Sequence, residues 1–113
     1  MTSPKYVVSL TSFAEADLQE TINYFLVSRA VAQAEKLIDA IEKAKVTLET
    51  FPQRGSIPHE LHTTGLRNIR QIIQWPHRIL YMIQEFEVDI VAIVDGRRDI
   101  KSLLLQRLMK PPT

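Results

Sequence analysis

The spacing of apolar residues in the first half of the chain predicts one strand followed by two helices. Residues 5–10 alternate between polar and apolar side chains, with Tyr6, Val8 and Leu10 on one side, as in a β-strand. Apolar residues then recur at intervals of three and four, which predicts an amphipathic helix over about residues 13–27. The apolar side of this helix consists of Ala14, Leu18, Ile22 and Phe25.

Both ends of the helical region carry boundary signals. Ser12 and Glu15 have the spacing of a capping box, in which the Ser12 hydroxyl accepts a hydrogen bond from the Glu15 amide. A short break near residues 28–30 leads to a second helical pattern, which ends at Phe51 because Pro52 disfavours helical geometry in the residue before it. The apolar stripe of the second helix, which we expect to be buried, consists of Val31, Ala34, Leu37, Ile38, Ile41, Ala44 and Leu48. Because the link between the helices is short, they are expected to form an antiparallel hairpin.

The second half of the chain has the pattern of a β-meander. Residues 53–65 contain Pro58 and two glycines and are expected to form a loop, with one helical turn near its two histidines. Three strand candidates follow at about residues 66–74, 78–84 and 88–94, and the short links between them predict antiparallel hairpins. The last of these strands is apolar on both faces, which predicts an interior position in the sheet.

A turn and a short amphipathic helix complete the predicted order of elements. Asp95 and Gly96 give the turn signal. The apolar side of the helix consists of Ile100, Leu103, Leu104 and Leu108, and Pro111 and Pro112 are expected to end it. The order β-α-α-β-β-β-α predicts an α+β fold: an N-terminal strand and an antiparallel two-helix hairpin, with the helices packed on one face of an antiparallel β-sheet. We expect a single domain over residues 1–113.

Composition narrows the class of protein. The chain has 113 residues, of which 45% are hydrophobic and 24% charged, as in a globular domain with one core. No apolar run approaches the roughly 20 residues that span a bilayer, and the first residues lack the pattern of a secretory signal. Cysteine is absent, which excludes disulfides and thiolate metal ligands. We therefore expect a cytoplasmic domain that contacts no membrane and holds no cofactor.

Positive charge is concentrated in the second half of the chain. Residues 1–52 carry five lysines and arginines against seven aspartates and glutamates, whereas residues 53–113 carry nine against six. Seven of those nine are arginines, whose planar fork suits phosphate or carboxylate groups. The alternative is an ordinary solvated surface, on which each arginine pairs with a nearby acid such as Asp95 or Asp99.

The predicted strands bring the arginines towards one edge of the sheet. In an antiparallel meander the start of the second strand lies beside the end of the third, so Arg78, Arg97 and Arg98 are expected to meet at an exposed rim. Arg70 lies a few residues away and is expected to reach the same rim, while Arg67 lies earlier on the first meander strand. Such a cluster would hold a phosphate backbone or an acidic peptide.

The histidines offer two further candidate sites. His59 and His62 form a His-x-x-His pair, but a metal site needs three or four ligands and nothing nearby clearly supplies the rest, so we expect a solvated loop and no metal site. His77 precedes Arg78 at a hairpin bend. It is either a general acid or base for RNA cleavage, since histidine titrates near neutrality, or a surface residue in a turn. Nucleotide-binding glycine loops, zinc-protease motifs and serine-hydrolase motifs are absent from the sequence.

Five pieces of the sequence occur in an order and at spacings that suggest a known family. They are A-E-A-D-L-Q-E-T-I-N-Y-F at residues 14–25, L-E-T-F-P-Q-R-G at 48–55, G-L-R at 65–67, H-R-I-L-Y at 77–81 and D-G-R-R-D at 95–99. The series resembles the RelE/ParE toxins over nearly the whole chain. The resemblance implies a helical hairpin on an antiparallel sheet, which agrees with the periodicity. It also implies a toxin neutralised by a cognate antitoxin, whose C-terminal part folds on binding and wraps the domain.

The resemblance implies one of two activities. RelE-like members cleave mRNA on the ribosome as metal-independent endoribonucleases, whereas ParE-like members inhibit DNA gyrase and need no hydrolytic site. Arg78 and Arg98 match positions at which cleaving members keep arginines, which would stabilise charge on the scissile phosphate, and His77 would transfer protons. Cleaving members usually keep a tyrosine or histidine near the C-terminus, but residues 100–113 contain neither. Its loss would lower acid–base catalysis by about two to four orders of magnitude.

The pieces at residues 51–55, 65–67 and 96–99 resemble ParE more closely, so we favour gyrase inhibition. The candidate contact residues are then Arg67, Arg70, Arg78, Arg97 and Arg98. One alternative is a RelE-like endonuclease whose partners are the ribosome and mRNA. The other is a non-toxic family member that only binds its antitoxin. In each case the expected assembly is a toxin–antitoxin hetero-oligomer.

Overall fold

The computed structural model describes residues 4–109, which form a four-stranded sheet with helices on both faces. In chain order the elements are β1 (Val7–Leu10), α1 (Ser12–Val27), α2 (Val31–Thr50), a 3-10 turn (His59–Leu61), β2 (Ile69–Gln74), β3 (His77–Gln84), β4 (Glu87–Asp95) and α3 (Ile100–Met109). This order confirms the predicted α+β fold and its element sequence. The expected end of α3 at Pro111 and Pro112 lies outside the described residues.

The strands lie in the order β1-β4-β3-β2. β2, β3 and β4 form the predicted antiparallel meander, and β4 lies inside the sheet, as its apolar pattern predicted. β1 joins β4 in parallel, so the whole sheet is mixed. The parallel pairing follows from the hairpin of α1 and α2, which returns the chain to the end of the sheet where β1 begins. There the Tyr6 amide donates to the Glu49 carbonyl near the end of α2, over 2.8 Å.

The sheet separates two apolar clusters. The hairpin of α1 and α2 covers one face, called the hairpin face, with Leu37, Ile41, Leu48, Ile79, Tyr81 and Ile93 among its buried residues. The other face, called the α3 face, is covered by α3 and the 3-10 turn, with Leu61, Leu80, Ala92, Val94, Ile100 and Leu104 buried. The expectation that all helices share one face is therefore wrong for α3. The reason lies in β3 and β4, whose apolar residues point both ways and need a cover on each side.

Two local predictions are shifted by the structure. Thr11, rather than Ser12, caps α1: its hydroxyl accepts a hydrogen bond from the Ala14 amide over 3.2 Å, and Ser12 is already helical. On α2, Ile41 is 2% exposed as predicted, but Ile38 is 41% exposed. The buried positions of α2 follow a narrower stripe than the sequence suggested, because a single sheet face covers only one side of the helix. None of the helices in the described part of the chain is long and apolar enough to cross a membrane.

Candidate functional site

Two turns meet at one end of the sheet, called the turn end: residues 75–76 between β2 and β3, and residues 96–99 between β4 and α3. The Gly96 amide donates to the Pro76 carbonyl over 2.7 Å. Arg78, at the start of β3, is paired across the sheet with the end of β4. The backbone therefore confirms that these segments share an edge. Their side chains, however, leave that edge in different directions.

Arg78 points to the α3 face and is held within the chain. Its Nη1 lies 2.9 Å from both carboxylate oxygens of Glu60 and 3.3 Å from Oε1 of Gln71. The Arg78 side chain is only 19% exposed, so the expectation that it stands at an exposed rim is wrong. Burial raises the pKa of Glu60, but the hydrogen bond and charge of Arg78 outweigh it and hold that pKa below its usual value.

Arg70 points to the opposite, hairpin face, where its register partner Tyr81 is buried. Its Nη1 donates to the Gly55 carbonyl over 2.7 Å and to the Gln53 carbonyl over 3.3 Å. Arg70 therefore braces the loop that follows α2. The expectation that it reaches the turn-end arginines is wrong, because the Gly55 and Gln53 carbonyls hold it on the hairpin face.

The two arginines of the β4–α3 turn differ from each other. Arg97 pairs locally, with Nε 3.1 Å from Oδ1 of Asp95, although its side chain is 87% exposed. The Arg97 hydrogen bonds hold the pKa of Asp95 below its usual value, and Asp95 raises the pKa of Arg97. Asp99 accepts instead from the amide and hydroxyl of Ser102, at 3.2 and 2.8 Å. The exposed side chain of Arg98 forms no hydrogen bond or ion pair with any residue that the structure describes.

The five candidate arginines therefore do not form the single cluster that the sequence predicted. Arg67 is exposed in the loop before β2, at the end of the sheet away from the turn end. Arg70 and Arg78 lie on opposite faces of the sheet, and only Arg97 and Arg98 stand exposed at the turn end.

A groove of about 480 Å³, called the turn-end groove, opens between α1 and the two turns. Its walls include Glu20, Tyr24, Phe25, His77, Asp95 and Arg98. The His77 ring meets Phe25 edge-on, with 5.8 Å between the ring centroids. Burial lowers the pKa of His77 even though the negative charge of Asp95 raises it, so the groove favours the neutral form of the ring. The groove thus brings together His77 and Arg98 from the catalytic candidates and leaves Arg78 on the other face.

The pair of histidines at the 3-10 turn, His59 and His62, forms no site of its own among the described residues. The rings of His59 and His62 are 5.4 Å apart, and His62 Nε2 lies 3.2 Å from the Ile57 carbonyl oxygen. No group of three or more histidine, cysteine, aspartate or glutamate side chains within residues 4–109 is placed to hold a metal ion.

Comparison with known proteins decides the family. The sequence model described as the ParE toxin of type II toxin–antitoxin system, parDE, matches residues 8–100. The chain belongs to this toxin family. The resemblance to RelE/ParE toxins, and to ParE in particular, is thereby confirmed.

A solved structure agrees with this assignment at the level of the fold. A chain of "Chromosomal ParDE TA system from P. aeruginosa" matches with a TM-score of 0.59 and 16% sequence identity, over 82% of this chain and 98% of that chain. At this identity the likeness shows the fold alone. A comparison with curated protein sequences found no match.

Two of the sequence pieces shared with the ParE family meet in the interior. The Gly55 amide donates to the Tyr81 hydroxyl over 2.9 Å, and that hydroxyl donates to the Pro52 carbonyl over 2.7 Å. A Cβ on Gly55 would lie 2.4 Å from the Gln71 carbonyl oxygen, so the close approach requires glycine. Burial raises the pKa of the Tyr81 phenol. These residues hold the loop after α2 against the sheet, which is a structural role.

Sequence reasoning missed the ion pair that is most buried among the described residues of this ParE-family chain. Arg107 Nη1 lies 2.6 Å from Oδ2 of Asp17, and Arg107 Nη2 lies 2.9 Å from Oδ1 of the same carboxylate. Asp17 also accepts from the Ile93 amide over 3.0 Å, and Arg107 donates to the Val91 carbonyl over 3.0 Å and lies above the Phe13 ring. The two side chains thus provide hydrogen-bond partners for the Val91 carbonyl and the Ile93 amide of β4, which lie past the end of the pairing with the short β1. No local signal could reveal it, because the partners are 90 residues apart.

A second groove, of about 740 Å³, lies at the end of the sheet opposite the turn end. Its walls include Tyr6, Phe51 and Phe86, and the Tyr6 and Phe86 rings are 5.5 Å apart. Sequence analysis did not predict this groove, since these aromatic residues come from three separate segments.

Proposed function

We propose that this ParE-family protein is a toxin that inhibits DNA gyrase by binding and that a cognate antitoxin neutralises it. The family match over residues 8–100 supports the toxin assignment. Inhibition by binding requires an exposed contact surface, whereas RNA cleavage requires proton-transfer groups and cations that act on one phosphate.

The observation that carries the proposal is the separation of Arg78 from His77 and Arg98, the other two candidate catalytic residues. His77 and Arg78 are neighbours on β3 and so point to opposite faces of the sheet. Arg78 is engaged by Glu60 on the α3 face, while His77 packs against Phe25 on the hairpin face. General acid–base groups have to lie within hydrogen-bonding reach of the same reacting atoms. This placement supports binding over cleavage, as does the lack of tyrosine and histidine in residues 100–113.

An antitoxin partner is supported by apolar surface that the fold leaves uncovered. Val27 is 85% exposed, and Val46 and Phe51 are each 66% exposed. Contiguous exposed apolar surface, such as the second groove with Tyr6, Phe51 and Phe86 in its walls, is typical of sites that bind partners. A segment that folds on binding covers such dispersed patches in one chain, which fits a toxin–antitoxin hetero-oligomer.

Gyrase inhibition is tested by adding the purified protein to gyrase supercoiling reactions and, separately, to translating ribosomes. We expect supercoiling to be lost while the mRNA stays intact. New codon-specific mRNA ends would contradict the proposal and indicate a RelE-like endonuclease. If expression causes no growth arrest and neither reaction is affected, the protein is a non-toxic member of the family.

Neutralisation is tested with the product of a small reading frame adjacent to the toxin gene. Co-expression should restore growth, and the two chains should co-purify as a hetero-oligomer by size-exclusion chromatography with light scattering. A frame whose product co-purifies but leaves growth arrested would show that binding and neutralisation are separate.

A further inference from the structure

The turn-end groove exposes the side chains that dominate most protein interfaces. Tyr24 is 68% exposed on its α1 wall, and Trp75 is 78% exposed in the β2–β3 turn, next to the groove residue Pro76. Arg98 enters from the β4–α3 turn. Tyrosine, tryptophan and arginine are the three residue types most enriched among interface residues that cost binding when truncated. Two segments far apart in sequence thus place tyrosine and arginine in one groove, and the turn beside it carries the exposed tryptophan.

The charges in the groove specify what kind of partner fits. Asp95 is engaged by Arg97, and Asp17 by Arg107, whereas Arg98 has no acidic partner within residues 4–109. A carboxylate on an occupant can therefore pair with Arg98 without displacing an ion pair that the structure already contains. Glu20, on the α1 wall, is also without an ion pair among the described residues.

These charges favour a protein over a nucleic acid. A phosphate backbone that approached Arg98 would meet the negative charges of Glu20 and Asp95 in the same groove. A protein segment can place one carboxylate at Arg98, a hydrogen-bond donor at Glu20 and an apolar side chain against Phe25 and Tyr24.

We infer that the turn-end groove is the surface by which the toxin contacts its target protein, and that it receives a segment of the target carrying a carboxylate beside an apolar side chain. This inference rests on the proposed function. A groove of about 480 Å³ takes one anchoring segment, whereas an antitoxin that wraps the domain covers a much longer path.

The test uses two groove variants and two matched surface variants of the full chain in the gyrase supercoiling assay. Arg98→Glu and Tyr24→Ala should each raise the toxin concentration for half-inhibition about tenfold or more. Lys36→Glu and Phe86→Ala make the same chemical changes at exposed positions outside the groove and should shift it by no more than about twofold. Arg98→Lys, which keeps the charge, should recover part of the loss. Circular dichroism melting has to show that all the variants stay folded.

The outcomes separate this inference from the proposed function. If the wild-type protein does not inhibit gyrase, the proposed function and the groove assignment are both wrong. If the wild-type protein and both groove variants inhibit equally well, only the groove assignment is wrong. Three other results for Arg98→Glu would also overturn the groove assignment. The variant could weaken antitoxin binding as much as it weakens inhibition, it could change the toxin's own oligomeric state, or it could abolish binding to DNA in the absence of gyrase.

Discussion

Arginine side chains in two regions of the molecule differ in what satisfies their charge. Arg70, Arg78 and Arg107 lie inside or against the sheet, where backbone carbonyls, Glu60 and Asp17 accept hydrogen bonds from them, although Arg70 Nε is buried without a partner among the described residues. At the β4–α3 turn, Arg97 has only a solvent-exposed partner and Arg98 has none among the described residues. A charge removed from water has to be paired within the fold, whereas an exposed one remains available for another molecule.

This difference shows that an excess of basic residues in one half of the sequence does not have to form one basic patch on the protein surface. The excess of arginine over residues 53–113 suggested one binding cluster, yet three of those seven side chains act as braces within the fold. We expect changes to the braces to lower stability, and changes at the turn end to alter partner binding while leaving stability nearly unchanged.

The strongest test of the brace region is Asp17→Ala. It would leave Arg107 without its carboxylate, at 11% exposure, and the Ile93 amide without an acceptor. We expect the free energy of unfolding to fall by about 3–5 kcal/mol, measured by urea denaturation. The double variant Asp17→Leu, Arg107→Met should recover part of the loss, because no charge then remains buried. A loss no greater than that of the exposed Glu42→Ala would show that the pair is not a brace.

The same comparison between buried and exposed positions can be made with two isoleucines of α2. Ile41→Ala should lower the free energy of unfolding by about 2–5 kcal/mol, because Ile41 is 2% exposed against the sheet. Ile38→Ala removes a side chain that is 41% exposed and should cost less than about 1 kcal/mol. Parallel urea titrations measure both, and equal costs would contradict the observed stripe.

Arg78→Ala tests a brace that the sequence presented as a rim residue. It leaves Glu60 without its cation and should lower the free energy of unfolding by about 1.5–3 kcal/mol. Because the pKa of Glu60 is depressed in the folded protein, this contribution is present above its ordinary value of 4.5 and is lost as the pH falls through the lower folded value. The gap between wild type and variant should therefore narrow below that pH. A gap that stays constant down to full protonation would mean that the Glu60 charge plays no part.

The smallest effect on stability is expected at the turn end. Arg97→Ala removes an ion pair whose arginine is 87% exposed, so urea denaturation should show no measurable change. A clear loss of stability would place Arg97 among the braces and remove the distinction between the two regions. Salt titration of the wild-type protein provides a control, because screening weakens exposed pairs first.

Much of the fold could be predicted because its signals are local. The helical stripe that contains Leu37, Ile41 and Leu48 and the apolar run of β4 each reflect the periodicity of one element packed on one core. The shared edge of Arg78 and the β4–α3 turn followed from antiparallel pairing alone. His77 and Arg98 were correctly chosen as turn-end residues, although their groove neighbours on α1 were not foreseen.

The sequence alone determined the element order, the meander and the family, since these depend on short-range spacing and on an ordered series of pieces. Tertiary structure decided which face each arginine occupies, which of them are paired, and that α3 covers the face opposite the hairpin. The Asp17–Arg107 pair and the turn-end groove join segments that only the folded chain brings together. Such contacts depend on the distance between side chains in space, and that distance leaves no periodic trace along the chain.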